Sequence, residues 1–251
     1  MRNFRFIAKL DIKSDYLVKG IRFEGVKKIG DPNYYSIKYY KDGVDELLYL
    51  DTVATLYNRN NLFNILKRAT QNIFIPITVG GGIKSLGDVY KILNAGADRV
   101  AINSAAVRNP KLLKHISEHV GSSCLGLSVQ LLFEKNEWKV FLDYGRERCK
   151  INAIEWIEQA KYNGAGEVLL TSIAYDGTLN GFDKKLLAEL PNKTDLPIIY
   201  CGGISNEQNI QDIINLNNCN AVAIASALHY EKIKISNIKK NINNSNFFFR
   251  K

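Results

Sequence analysis

Short apolar runs rich in Val, Ile and Leu alternate along the chain with stretches in which apolar residues recur every three or four positions. Runs of the first kind read as buried strands and stretches of the second as amphipathic helices, so their alternation calls for parallel strands joined by helices. Eight strands are predicted, over Phe6 to Asp11, Glu46 to Asp51, Ile75 to Val79, Arg99 to Asn103, Cys124 to Val129, Glu167 to Thr171, Pro197 to Cys201 and Ala221 to Ala225. Helical patterns cover Ser85 to Ala95, Pro110 to Val120, Ala153 to Tyr162, Glu207 to Leu216 and Lys232 to Ile242. Eight strand–helix units within 251 residues match a closed (β/α)8 barrel, the TIM-barrel class of α/β fold.

The two halves of the chain resemble each other. Pro76-Ile77-Thr78-Val79-Gly80-Gly81-Gly82-Ile83 returns as Pro197-Ile198-Ile199-Tyr200-Cys201-Gly202-Gly203-Ile204. Val100-Ala101-Ile102-Asn103-Ser104-Ala105 returns as Val222-Ala223-Ile224-Ala225-Ser226-Ala227, and Gly43-Val44-Asp45-Glu46-Leu47-Leu48 as Gly164-Ala165-Gly166-Glu167-Val168-Leu169. A period of about half the chain is too long for a solenoid and implies a barrel built from two half-barrel repeats. No linker interrupts the pattern, so residues 1–242 are expected to form one barrel domain. Residues 243–251 read as a C-terminal tail, first Asn-rich and then aromatic, that either frays or docks on the last helix.

Composition changes this picture little. With 46% hydrophobic and 24% charged residues the chain is ordinary globular material, which excludes disorder as its main state. No apolar stretch reaches the roughly 18 residues of a membrane span, and the N-terminus runs into a strand pattern instead of a signal-peptide core, so a soluble, cytoplasmic protein is expected. Lys and Arg number 34 against 25 Asp and Glu, a net charge of +9. That sign suits nucleic acid, an anionic surface or a phosphorylated small molecule. The excess is scattered, gathering only at Lys232, Lys234, Lys239 and Lys240, so compositional bias accounts for it and no nucleic-acid partner is expected. Cys124, Cys149, Cys201 and Cys219 lie far apart beside only three histidines, so neither a metal site, a disulfide framework nor a cofactor is indicated.

The working face of such a barrel is formed by the C-terminal strand ends and the loops after them. Gly80-Gly81-Gly82 after the third strand, with Asn103-Ser104 after the fourth, is suited to present backbone N–H groups at a helix start, the geometry that holds a phosphate dianion. Gly202-Gly203 after the seventh strand, with Ala225-Ser226 after the eighth, forms a second copy. The plain alternative is that these glycines only serve tight turns. Two cradles on opposite sides of one mouth suggest a ligand phosphorylated at both ends. Between them point Asp11, Asp51, Gln130, Thr171, Asp176 and Cys201. Asp11 closes the run Phe6-Ile7-Ala8-Lys9-Leu10 near apolar walls, where its pKa is expected to rise toward acid–base duty; the alternative is that it merely pairs with Lys19 or Lys9. Tyr175-Asp176-Gly177-Thr178 reads as a turn able to offer N–H or hydroxyl groups to a phosphate or sugar. At the other barrel end Arg5, Glu46, Arg99 and Glu167 stand at strand starts and should converge around the axis as a plug, or as ordinary salt bridges of the bottom face.

The runs from Ile75 to Ile83, Gly96 to Val107 and Gly164 to Ser172, together with Asp176-Gly177-Thr178, Val18-Lys19-Gly20 and Gly30-Asp31-Pro32, resemble the cyclase subunit of imidazole glycerol phosphate synthase, the HisF family. The similarity spans residues about 5 to 240. The isomerase that precedes this enzyme in histidine biosynthesis shares the half-barrel repeat but matches these runs less well. The resemblance implies a lyase and cyclase that takes ammonia from a HisH-like glutaminase subunit docked in a heterodimer at the bottom face. Ammonia would cross the barrel to a bisphosphorylated aminoimidazole carboxamide ribonucleotide at the top, giving imidazole glycerol phosphate and an aminoimidazole carboxamide ribotide. In that scheme Asp11 is an acid–base group and Lys19 lies in a mobile first loop, Ile12 to Asp31. The glycine clusters with Asn103, Ser104, Asp176 and Ser226 hold the phosphates. Arg5, Glu46, Arg99 and Glu167 form an ammonia gate, with Asp98 beside the partner interface.

Departures cluster at the mouth. Gln130 stands where the family pattern ends the fifth strand with an Asp working opposite Asp11, and Gln cannot exchange a proton. Losing one member of an acid–base pair typically costs about 10² to 10⁴ in rate, unless another group substitutes. Val53 and Cys201 replace hydroxyl residues, and Arg99 replaces a Lys with a wider, flatter cation. Three readings therefore stand: the cyclase itself, a HisF-like paralogue that amidates a surface-polysaccharide or flagellar sugar, or a non-catalytic barrel that binds a phosphorylated ligand or scaffolds a partner.

Overall fold

The computed structural model describes residues 2–53, 62–242 and 247–248. Eight parallel strands close on themselves: β1 Arg5–Lys13, β2 Glu46–Asp51, β3 Ile77–Gly80, β4 Arg99–Ile102, β5 Leu125–Glu134, β6 Glu167–Ser172, β7 Ile198–Cys201 and β8 Ala221–Ile224. Each pairs with the next, and β8 pairs with β1 through Val222 and Phe6. This is the (β/α)8 barrel expected from the alternation, with every strand in the place the apolar runs predict.

The period-two alternation of a strand divides the apolar residues between two cores. On β1, Phe6, Ala8, Leu10 and Ile12 face outward and pack with the helices, whereas Ile7 belongs to a separate cluster inside the barrel with Leu48, Leu50, Leu169, Ile199, Cys201, Ala221 and Ala223. By the same alternation Arg5, Lys9 and Asp11 point inward, in a column that runs from the bottom of the barrel to its mouth.

The half-barrel repeat survives in backbone detail. Asp98 and Asn220 occupy equivalent places beneath the barrel, where each accepts a hydrogen bond from a strand-opening N–H, of Ile77 at 2.8 Å and of Ile198 at 3.0 Å. Ser85 and Asn206 cap the equivalent helices Leu86–Asn94 and Glu207–Leu216. Asn103 and Ala225 share one unusual conformation, φ −122°, ψ −92° and φ −121°, ψ −83°.

Two excursions are added to the barrel. The segment expected to be a loop, Ile12 to Asp31, forms strands Tyr16–Ile21 and Glu24–Gly30, the first antiparallel to the end of β1. Apolar Leu17 and Val18 bury against the barrel, and this brings Lys19 under cover on a strand. The second excursion follows β5, which does not end at Val129 but runs to Glu134 and turns back through Glu137–Leu142 and Glu147–Asn152. Gln130 thus sits within a strand. Helices Pro32–Lys41, Leu62–Ala69 and Lys184–Glu189 complete units whose helical pattern the sequence left unmarked. Of the tail, Phe247–Phe248 pairs in parallel with Arg2–Asn3; residues 243–246 and 249–251 lie outside the described residues. Among the described residues no helix is long and apolar enough to cross a membrane.

Candidate active site

Four buried charges meet at the mouth. Lys9 Nζ lies 3.0 Å from Asp11 Oδ1 and 3.7 Å from Asp176 Oδ1, while Lys19 Nζ lies 3.1 Å from Asp11 Oδ2 and 2.6 Å from Asp176 Oδ2. Two cations and two carboxylates thus alternate in a neutral ring, each almost wholly removed from solvent. Asp11 pairs with both lysines, and its acidity moves opposite to expectation. Burial pushes the carboxyl up, but the ammonium groups of Lys9 and Lys19 outweigh it and hold the group well below the usual carboxylate range. Burial likewise pushes Lys9 down, and Asp11 with Asp176 more than reverses this. Asp11 is therefore a fixed carboxylate in this state, not a carboxyl poised near neutrality. The pairing with Lys19 and Lys9, the alternative to acid–base duty in the sequence reading, is thus what the structure shows. That reading places Lys9 within an apolar run and gives it no place in the site, although the spacing Arg5, Ile7, Lys9, Asp11 carries the signal that all four share the inner face.

The first cradle opens on a cavity of about 390 Å³ lined by Asp51, Gly81, Gly82, Asn103, Ser104 and Gln130, among others. Gly81 and Gly82 adopt φ +95° and +71°. A Cβ on Gly81 would stand 2.3 Å from the carbonyl oxygen of Asp51, so only glycine lets the loop pass so close to β2. Gly81→Ala is expected to lower stability by about 2 kcal/mol, read as a fall of roughly 5 °C in thermal midpoint; an unchanged midpoint would show that the loop yields freely. Ser104 Oγ accepts a hydrogen bond from Asp143 N at 2.9 Å, and Asn103 Nδ2 donates to Phe141 O at 3.1 Å, which ties this cradle to the second excursion.

The second cradle has the same backbone but is nearly closed. Gly202 and Gly203 take φ +132° and +75°, and with Ala225, Ser226, Asp176, Gly177 and Lys19 they line a space of about 10 Å³. The first excursion covers this side, where Arg22 donates from its N–H to Asp176 O at 2.8 Å and from Nε to Ala174 O at 3.1 Å. Ser226 Oγ is buried without a hydrogen-bond partner among the described residues.

Between the cradles, Thr171 on β6 pairs in register with Gln130 on β5 and with Cys201 on β7. Burial pushes the Cys201 thiol up to about 11, so it stays protonated, and no nucleophilic role follows. Gln130 Oε1 is buried without a hydrogen-bond partner among the described residues. The four cysteines are free, and among the described residues no group of three or more His, Cys, Asp or Glu side chains is arranged to hold a metal ion.

At the opposite end the four predicted residues do converge. Arg5 bonds Glu46 at 2.9 Å and Glu167 at 3.0 Å; Arg99 bonds Glu46 at 3.0 Å and lies 3.7 Å from Glu167. The ring spans β1, β2, β4 and β6: Arg5–Glu46 joins neighbouring strands, and the other three contacts each skip at least one strand and reach across the barrel end. Above it, Ile7, Leu48, Leu169 and Ile199 surround a space of about 10 Å³, comparable to the smallest cavity that admits one water-sized molecule. Asp98 is exposed beneath this ring, its carboxylate spent on the Ile77 N–H.

Residues 5–234 match the sequence profile of the family described as histidine biosynthesis protein. The chain is 47% identical over 205 residues to the imidazole glycerol phosphate synthase subunit HisF of Legionella pneumophila, covering 81% of this chain and 97% of that protein. It is 39% identical over 243 residues to the subunit of the same name from Bacillus cereus strain Q1, covering 96% of each chain. With that from Natranaerobius thermophilus it shares 36% identity over 235 residues, 94% of each.

Proposed function

The chain belongs to the histidine biosynthesis protein family, as a barrel of the imidazole glycerol phosphate synthase HisF type, and from that premise we propose that it cyclises a bisphosphorylated aminoimidazole carboxamide ribonucleotide with ammonia that enters through its axis. The observation that carries this reading is the column of groups along the barrel interior. A ring of charge at the bottom, a small space walled largely by apolar side chains above it and a buried ionic cluster at the top follow one another along the axis, the last of them between two glycine-rich cradles. A small neutral molecule passes apolar walls at little cost, whereas ammonium would have to shed its hydration. Delivery of ammonia without loss to water asks for that lining.

In this reading the ammonia comes from a glutaminase seated on the bottom face, near Asp98 and Arg99. Gly81, Gly82, Asn103 and Ser104 hold one phosphate, and Gly202, Gly203, Ala225 and Ser226 the other, with Lys19, Asp176 and Gly177 closing over the second. Asp11 accepts a proton once substrate charge has drawn Lys19 or Lys9 away from it. Gln130 supplies hydrogen bonds but no proton transfer, so Gln130→Asp is expected to raise the rate by roughly tenfold to a hundredfold.

The test is conversion of that ribonucleotide by the purified chain with an ammonium salt, followed through release of the aminoimidazole carboxamide ribotide. Ammonia-dependent turnover is expected, accelerated in the Gln130→Asp variant. No ammonia-dependent turnover at saturating substrate would sink the reading. Asp98→Lys is expected to weaken capture of the glutaminase, measured by calorimetric titration; equal affinity would remove the bottom face as its seat.

A further inference from the structure

Three side chains lining the cavity of the open cradle bury polar atoms beside it: Asn103 Oδ1 and Gln130 Oε1, which no group among the described residues satisfies, and the hydroxyl of Tyr144, which reaches only the Asp11 carboxylate among them. An unsatisfied buried polar atom costs about 1–3 kcal/mol, and two of them beside a buried phenol around one cavity point to a polar ligand that completes them.

Tyr144 stands apart from the other two by how it is held. It lies in the turn between strands Glu137–Leu142 and Glu147–Asn152, where Asp143, Tyr144 and Gly145 adopt φ +50°, +59° and +76° in succession. A bulky aromatic residue in the left-handed region is uncommon and needs outside support. Arg108 supplies it by bonding Asp143 and Glu147 at 2.6 and 2.7 Å, and the Asp143 N–H bonds Ser104. The phenol ring lies 4.5 Å from the Phe23 ring, centroid to centroid, and 5.8 Å from the Arg146 guanidinium. The ring is thus gripped on two sides, by the first excursion and by its own turn, while its buried hydroxyl reaches the Asp11 carboxylate at the mouth and donates to it. Burial first, and then the charges of Asp11 and Asp176, keep the phenol's pKa well above its ordinary value, so it retains its proton through the neutral range.

We propose that Tyr144 is a catalytic residue whose hydroxyl donates a hydrogen bond to the substrate heteroatom that gains charge when ammonia adds at this mouth. The assignment rests on the ammonia-using reading above. As the nitrogen lone pair forms the new N–C bond, the π pair of the attacked double bond moves onto its heteroatom, and the phenol stabilises that charge without losing its proton. The proton released by the new ammonium centre passes to the Asp11 carboxylate and from there to the charged heteroatom, so the phenol and Asp11 both end as they began. Donor and acceptor are separate groups here, which lets the site work with an amide at position 130.

Ammonia-dependent kinetics of Tyr144→Phe test this, because the variant keeps the ring and its packing. Its kcat is expected to fall about 10²-fold with KM and melting midpoint little changed. Gln130→Asp placed in the Tyr144→Phe background should restore most of the loss. If the unaltered chain turns over and Tyr144→Phe keeps the full kcat, the Tyr144 assignment is overturned and the proposed function stands. If the unaltered chain binds the substrate and shows no turnover, both fall.

Discussion

Lys9→Ala is expected to lower folding stability by about 3–5 kcal/mol, the scale on which breaking a buried ion pair from one side is felt. Lys9 is 1% exposed and lies 3.0 Å from Asp11 and 3.7 Å from Asp176. Without it two buried carboxylates share the single ammonium of Lys19, and one negative charge is left in a poorly hydrated site. Losing the methylene stem adds a cavity term to this. Lys9→Met separates the two contributions, since it fills most of the volume and carries no charge. If charge dominates, the two variants lose similar stability, seen as a fall of roughly 10 °C or more in thermal midpoint. Asp11→Asn added to Lys9→Met should recover part of the loss by returning the ring to balance. A Lys9→Met loss below about 1 kcal/mol would mean that water reaches the ring and screens it.

Acidification from pH 6.5 is expected to destabilise the protein through one residue, His229. It is buried behind the second cradle, with Nδ1 2.6 Å from the Tyr39 hydroxyl and Nε2 without a partner among the described residues. Burial pushes its pKa down to about 3, with the nearby lysines adding to this and Asp11 opposing it. The unfolded chain takes up the proton near the ordinary value of about 6.5, and the folded chain refuses it until far lower. Its stabilising contribution is therefore complete above about pH 6.5 and declines as the pH falls, by roughly 1.4 kcal/mol per unit and on the order of 5 kcal/mol in all. Asp11 acts in the same direction at a lower range. Its folded pKa is depressed, so its contribution begins to fade only when the pH drops to about 4, where the unfolded carboxylate takes up a proton. Urea unfolding at pH 6.5 and 5 should show a loss of about 2 kcal/mol in the unaltered chain and much less in His229→Phe. That variant also gives up the Tyr39 hydrogen bond, a constant offset that leaves the pH slope readable. Equal slopes for the two proteins would refute the assignment.

The candidate site was partly legible in the chain. The glycine clusters and the half-barrel repeat announce themselves because backbone conformations that only glycine tolerates leave a mark in any ordering of residues. Arg5, Glu46, Arg99 and Glu167 could be placed at one end because each opens a strand, and a strand start has one address in a barrel. Tyr144 was not found this way, and Lys9 was foreseen only as a candidate partner of Asp11. Lys9 lies in a run read as apolar, although the alternation that sends Asp11 inward sends Lys9 inward as well. Tyr144 sits in a turn of an antiparallel excursion whose strands are short and polar enough to pass for loop, and nothing in its neighbours marks it as reaching the mouth.

Residue order alone dictates the eight alternating units, their parallel closure, the internal duplication and the two ends of the barrel, since these follow from local periodicity and from where glycine and charge interrupt it. Folding in three dimensions decides that Lys9 and Lys19 draw Asp11 downward in pKa, that one cradle is open and the other covered, and that Tyr144 faces Asp11. Those outcomes depend on distances between groups far apart in the chain and on how much water is shut out between them, and Coulomb energy in a buried site is set by that separation and that exclusion.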